Sequence, residues 1–348
     1  MAYTTINKSS DYFNTKLYTG NSGTQALTGV GFQPDWTWIK GRSTAYSHNI
    51  YDSVRGVTKI IKSNSNTAED TQSTSLTAFN TDGFTLGSYD ESNYNSRTYA
   101  SWNWKAGTAV SGNTSGSGTA KTYTGSVNTT SGFSIIKYTG NGTAGHTIPH
   151  HLGVVPKMII VKSISAAQSW IVLPPTADGY NKDMKLEDSS ALGNSDVWNN
   201  TAPTSTVFSV GSNTNMNDNN ATFISYSFSG KQGFSKMGSY AGNGNAEGTF
   251  VYTGFKPAFA IIKRSSASGS WYMYDTKRDT HNVMNKELGA NISNAENDLD
   301  SGDDIDFLSN GFKLRDASSN NNGTSTYIYM AFAEAPLVGT NNVPCTAR

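Results

Sequence analysis

The chain has 348 residues, of which 15% are charged, with 26 Lys plus Arg against 26 Asp plus Glu. That balance offers no basic excess or stripe for a polyanion, so nucleic acid is not an expected partner. No apolar run approaches the roughly 20 residues that cross a bilayer, so membrane insertion is not expected. The single cysteine, Cys345, rules out an intrachain disulfide or a thiolate cluster.

Residues 1–11 read as a lead without the basic and apolar regions of a secretory signal. Beyond it, 34 glycines and abundant Asn, Ser and Thr supply turns, while 7 Trp, 18 Tyr and 15 Phe supply faces to pack. A first block, 12–106, opens with Tyr18-Thr19-Gly20-Asn21. It continues through Pro34 and the apolar Trp36-Thr37-Trp38-Ile39 to Lys40 and closes on Tyr99-Ala100-Ser101-Trp102. Asp82-Gly83 within it predicts a type I′ hairpin. Residues 107–130, rich in Gly, Ser and Thr, read as a linker.

A second block, 131–231, repeats the wording: Tyr138-Thr139-Gly140-Asn141, then Pro156, Met158-Ile159-Ile160-Val161 and Lys162, then Phe223-Ile224-Ser225-Tyr226. Val207-Phe208-Ser209-Val210 stands where the hairpin pair would be. Only Ser229 to Ser239 separates this block from the next, so the last two blocks are expected to be held more rigidly than the first two. The third block, 232–336, has Tyr240-Ala241-Gly242-Asn243, Pro257, Phe259-Ala260-Ile261-Ile262, Lys263 and Tyr327-Ile328-Tyr329-Met330. Its expected strands are Phe250–Tyr252, Phe259–Lys263, Trp271–Tyr274, Phe307–Leu314 broken at Asn310-Gly311, and Tyr327–Phe332. Met284, Leu288 and Ile292 recur every four residues between Val283 and Asn294, which predicts at most a short turn of helix. Residues 337–348 are a tail.

Each lysine falls six residues after a proline, and about 100 residues separate successive blocks, the size of a whole small domain. Short β-branched and aromatic runs between turn signals predict an all-β chain: three tandem β-sandwich domains, jelly-roll or lectin-like, related by internal repeat. The three lysines are expected to lead their strands out to solvent, and the prolines to set strand entry.

Tyr51-Asp52 with Arg55 recurs as Tyr274-Asp275 with Arg278, a spacing that suits a charge-assisted pair pinning a loop. The second block has Leu173-Pro174 there. His146, His150 and His151 lack a further zinc ligand at a suitable spacing. Asp298, Asp300, Asp303, Asp304 and Asp306 form an acidic loop that could offer oxygens to calcium, but their spacing does not match an EF-hand. Tyr89, Tyr94, Tyr180 and Trp198 fall in loops and are the candidate residues for stacking on a glycan. No catalytic, cofactor or metal residue stands out, and no enzyme activity is expected.

The segments Gly31-Phe32-Gln33-Pro34-Asp35-Trp36-Thr37-Trp38-Ile39-Lys40, Tyr138–Gly142 with Pro156–Lys162, Phe307–Leu314 and Tyr327–Glu334, with the terminal Ala347-Arg348, resemble motifs of marine bacteriophage virion proteins described as tail-fibre-like. The resemblance runs over nearly the whole chain. It implies a structural protein of a phage fibre, spike or appendage, made in the host cytoplasm and carried on the virion. Its expected partners are other virion proteins and a host-surface glycan or protein, bound non-covalently. A homo-oligomer is expected, a trimer first. The alternative is a capsid or tail decoration (cement) protein without a receptor role. A depolymerase would need paired carboxylates roughly 5–10 Å apart in a cleft.

Overall fold

A computed structural model describes residues 3–175, 179–298 and 302–336. Among these the chain is all-β: helix is limited to short turns at Ser9–Asp11, Asp90–Asn93 and Thr214–Asn217, and the strands pair antiparallel. Four strands recur in each block. They are β1 (Phe13–Thr19), β2 (Trp36–Gly41), β3 (Asn49–Asp52) and β4 (Thr98–Trp104) in the first. The second has β5 (Phe133–Thr139), β6 (Met158–Ser163), β7 (Ile171–Leu173) and β8 (Thr222–Phe228). The third has β9 (Ser235–Ala241), β10 (Phe255–Arg264), β11 (Trp271–Asp275) and β12 (Thr326–Pro336).

Every set pairs in one spatial order, β1-β4-β2-β3, β5-β8-β6-β7 and β9-β12-β10-β11, and a three-stranded sheet accompanies each. Each block is sandwich-like because residues of both its sheets share an apolar cluster. In the first, Tyr18, Ile39, Tyr51 and Tyr99 of the larger sheet meet Leu27, Leu76, Phe84 and Leu86 of the smaller.

The larger sheets are buried on their other face too. Along β6, Ile159 and Val161 face the block's own cluster, while Met158 and Ile160 join a core shared by all three blocks. Ala260 and Ile262 against Phe259 and Ile261 alternate in the same way along β10. A strand buried on both faces needs apolar residues at consecutive positions, which accounts for the unbroken runs before each lysine. In the shared core Trp36 stacks on Tyr226 at 4.8 Å between ring centroids, Phe13 on Phe332 at 5.0 Å, and Trp102 tilts against Phe259 at 5.8 Å. Ile6, in the expected lead, is buried in the same core.

The three blocks are therefore one closed ring of sheets and not beads on a string. Residues 107–130 are a correction: they hold the strands Thr108–Asn113, Ser115–Gly116 and Thr122–Asn128. Thr108–Asn113 pairs with Thr122–Asn128, and Ser115–Gly116 adds to His146–Pro149. The low apolar content of Thr108–Asn113 and Ser115–Gly116 fits exposed edges, where backbone pairing suffices. Two further expectations give way. Val283–Asn294 contains the strand Lys286–Gly289 and no helix. The Asp82-Gly83 hairpin forms, but Asn80 pairs with Gly83, so Thr81 and Asp82 make the turn, without the positive φ that type I′ requires.

Candidate functional site

The repeated motifs resolve into the joints of the ring. Lys40, Lys162 and Lys263 are fully buried, which corrects the expectation that they lead to solvent. Each Nζ donates to a carbonyl of the next residue and to one in another block. Lys40 reaches Gly41 O at 2.8 Å and Ser293 O at 3.1 Å. Lys162 reaches Ser163 O at 2.7 Å and Asn66 O at 3.2 Å, and Lys263 reaches Arg264 O at 2.7 Å and Ser189 O at 3.3 Å. Burial lowers the ammonium pKa of Lys40 to about 7 and those of Lys162 and Lys263 to about 8.

Two residues after each lysine, a carbonyl accepts a backbone N–H from the same neighbouring block. Glu296 N–H reaches Arg42 O at 2.7 Å, Glu69 reaches Ile164 O at 3.1 Å, and Leu192 reaches Ser265 O at 2.9 Å. Eight residues after each lysine stand His48, Trp170 and Trp271. Trp170 Nε1 donates to Lys62 O at 2.9 Å, Trp271 Nε1 donates to Lys185 O at 2.9 Å, and His48 Nε2 lies 2.9 Å from Gly289 O. In every case the first block reaches the third, the second reaches the first, and the third reaches the second.

The Tyr-x-Gly-Asn motif closes a loop within each block. Tyr18, Tyr138 and Tyr240 hydroxyls donate to Ser92 O, Met216 O and Asn321 O at 2.7, 2.7 and 2.6 Å. The asparagine's N–H goes to a buried second asparagine: Asn21 to Asn93, Asn141 to Asn217 and Asn243 to Asn322. Gly140 is required because a Cβ there would overlap Asp218 O. These residues are cross-links within their blocks.

Asp52 and Asp275 hold Arg55 and Arg278 as expected, Nε to Oδ2 at 2.5 Å in both, all four side chains buried. Each carboxylate also accepts a donor from another block, Tyr226 hydroxyl at 2.7 Å on Asp52 and Trp102 Nε1 at 3.0 Å on Asp275.

His146, His150 and His151 do not converge on one point. His146 sits between Asn217 and Thr114, His150 meets Thr204 O, and His151 meets the Tyr123 hydroxyl. Burial lowers the pKa of all three. Part of the acidic loop, including Asp300, lies outside the described residues, as does the tail 337–348 with Cys345. Among the described residues no group of three or more His, Cys, Asp or Glu side chains is placed to hold a metal. Asp306 pairs with Arg315 at 3.3 Å, and Asp303 accepts from Asn320 Nδ2 at 2.7 Å.

Glu287, on Lys286–Gly289, faces this loop, and burial first, then the charge of Asp303, pushes its carboxyl up to about 8. An acid whose pKa is higher folded than unfolded contributes stability below the unfolded value, about 4.3, and loses it as pH rises to 8. Glu287→Gln is therefore expected to stabilise the fold by about 1–3 kcal/mol at pH 7.5 and to add nothing at pH 4. Urea midpoints at the two pH values check this; equal effects at both would show that Glu287 ionises freely.

The four stacking candidates do not form one site. Trp198 is a correction: it is 1% exposed and packs with Phe208 inside the second block, because a ring that large fills the space between the sheets. Tyr89 is half-buried with its hydroxyl on Glu91 at 2.9 Å, and Tyr180 lies against the second block's core beside Pro174 and Pro203. Tyr94 is the exposed one, at 40%.

A cleft of about 380 Å³ opens where the second and third blocks join. Its walls are Lys157 before β6, the Gly230–Ser235 turn between β8 and β9, Lys236 of β9, the end of the edge strand Phe250–Tyr252, and Tyr3. Tyr3 hydroxyl anchors on Gly254 O at 2.8 Å. Lys236 Nζ donates to Tyr252 O at 2.6 Å and stands 5.3 Å from the centre of the Tyr252 ring. Tyr252 is 52% exposed and Phe250, two residues earlier on the same strand face, 44%. Sequence reasoning passed over this cleft because its lysines come from different blocks and its aromatics stand in a strand.

A family model described as a domain of unknown function (DUF7483) matches residues 8–336, a single match across all three blocks. No curated protein and no solved structure matches the chain.

Proposed function

Since the chain belongs to the DUF7483 family of unknown function, we propose from its structure and motifs that it is a structural protein of a phage fibre, spike or appendage. In this reading it contributes to host-surface attachment by non-covalent binding. The observation that carries the reading is the closed ring. Each block spends the outer face of its larger sheet, its lysine and its Trp or His on a neighbour. Such a body is rigid, and it presents loops and edge strands around a buried centre, the arrangement a binding head on a projection needs. The virion setting rests on the resemblance of the repeat motifs to phage appendage proteins. Homo-oligomers, trimers first, belong to the same reading and would use surfaces outside the shared core.

Immunogold labelling of intact virions with antibodies against the chain tests it. Gold on tail projections is the expected result. Gold spread evenly over the head would replace this reading with the decoration protein, and unlabelled particles would end the virion reading altogether.

A further inference from the structure

We propose that the cleft between the second and third blocks binds an acidic saccharide, with its lysines on the carboxylate or sulfate groups and Tyr252 and Phe250 under the sugar rings. The proposal takes its biological setting from the attachment reading above, but its chemistry stands on the cleft alone.

The cleft's lining holds Lys157, Lys231 and Lys236 and no Asp or Glu. A chain with equal numbers of acidic and basic residues has no general reason to gather three cations without a counter-charge. Lys236 is held by a backbone carbonyl. The ammonium groups of Lys157 and Lys231 make no hydrogen bond or ion pair with any described residue. Burial lowers the pKa of Lys231 and Lys236, and no carboxylate offsets it. Lys231, part-buried with its ammonium unpaired, carries a desolvation cost that an anionic ligand would relieve, while the exposed Lys157 adds positive charge at the mouth.

The remaining chemistry selects the class of anion. Tyr252 and Phe250 are two of the few large apolar side chains exposed among the described residues; Tyr252 lines the cleft, and Phe250 stands outside its lining, two residues along the same face of the edge strand, where a ligand running past Tyr252 would meet it. Flat rings beside fixed cations suit a ligand with apolar faces and edge charges, which a pyranose carrying a carboxylate or sulfate is. Free phosphate would use the lysines and leave the rings idle. Single-stranded nucleic acid would use both, but it draws on a long basic track that the neutral chain lacks. The volume of about 380 Å³ accommodates one or two sugar rings, and the open side lets a polymer run past.

The test is calorimetric titration of the full chain with a galacturonate hexamer, a neutral glucose hexamer and a single-stranded oligonucleotide. The expected result is binding of the acidic hexamer at least about tenfold tighter than either control, weakened by raising salt from 50 to about 200 mM. Lys231→Gln with Lys157→Gln is expected to weaken it about tenfold, and Tyr252→Ala about fivefold, with no unfolding midpoint lowered by the lysine changes. The double lysine change leaves the interblock bonds intact; should it unfold the chain, Tyr252→Ala and the salt series still decide. Equal affinity for the neutral hexamer, tighter binding of the oligonucleotide, or variants that bind as well as the parent would overturn the proposal. Labelled projections without acidic-hexamer binding would sink this inference alone, whereas binding with unlabelled particles would sink the virion reading alone.

Discussion

Asp275→Ala is expected to destabilise the protein by about 3–5 kcal/mol, measured as the shift in urea midpoint followed by tryptophan fluorescence. Asp275 is fully buried and accepts four donors: Arg278 Nε at 2.5 Å, the Lys277 and Arg278 N–H groups, and Trp102 Nε1 from the first block at 3.0 Å. Removing the carboxylate leaves a buried guanidinium whose other contacts are Glu296 at 3.1 Å and the carbonyls of Met273 and Lys286. It also leaves the Trp102 N–H unpaired at a joint between blocks. The cost of a buried cation left to share one carboxylate, that of Glu296, with Arg42 exceeds the net worth of the pair. Asp275→Leu combined with Arg278→Leu should therefore cost less than the sum of the single changes, the sign of direct coupling.

The second block shows that this remedy works within the fold. The position twelve residues after its lysine is Pro174, where the other blocks have Asp52 and Asp275. In the third block the position of the donors Trp102 and Tyr226 is Met330, which has no proton to give. The ring relation makes the third block reach the second, so acceptor and donor are absent from the same joint. A loss below about 1 kcal/mol for Asp275→Ala would show that the joints rest on the apolar core and not on these pairs.

The repeat, the β class and most strands of the third block were legible because strand patterning and turn residues are local. The ring was not. Lys40 ends an apolar run, and a lone sequence offers no sign that its ammonium stops on Ser293 O, more than two hundred residues away. One clue was present: strands such as Met158–Val161 are apolar at successive positions, which a sandwich with one wet face does not need. Trp198 misled for a related reason, since a tryptophan in a loop-like stretch reads as exposed until the sheets on either side of it are placed. The strands at 108–116 escaped because edge pairing uses backbone groups and leaves almost no mark on side-chain choice. The cleft escaped because its residues are brought together only by the joint between blocks.

Stability is expected to rise as pH goes from 7 to 9.5, by several kcal/mol in all, and the lysines of the ring are the reason. A lysine in the unfolded chain titrates near about 10.4, whereas Lys40 does so at about 7 and Lys162 and Lys263 at about 8 when folded. Between those values the unfolded chain holds more protons than the folded one, so raising pH favours the fold, by at most about 1.4 kcal/mol per pH unit for each lysine. Glu287 works against this up to pH 8 and then stops. Above about pH 10 the buried Tyr18, Tyr138 and Tyr240, whose pKa values burial raises, turn the trend downward, since the unfolded chain then ionises first. Urea midpoints between pH 7 and 9.5 for the parent and for Lys162→Met test the account. The variant should lose about one lysine's share of the slope, and a variant lacking all three lysines should lose nearly all of it. At pH 7 each substitution trades a buried ammonium for a missing link to the next block, so the slope, not the absolute stability, isolates the charge. A parent whose stability stays flat over this range would mean that carbonyl oxygens such as Ser163 O and Asn66 O hold the protons in place, and that the ring closes on three cations instead of three amines.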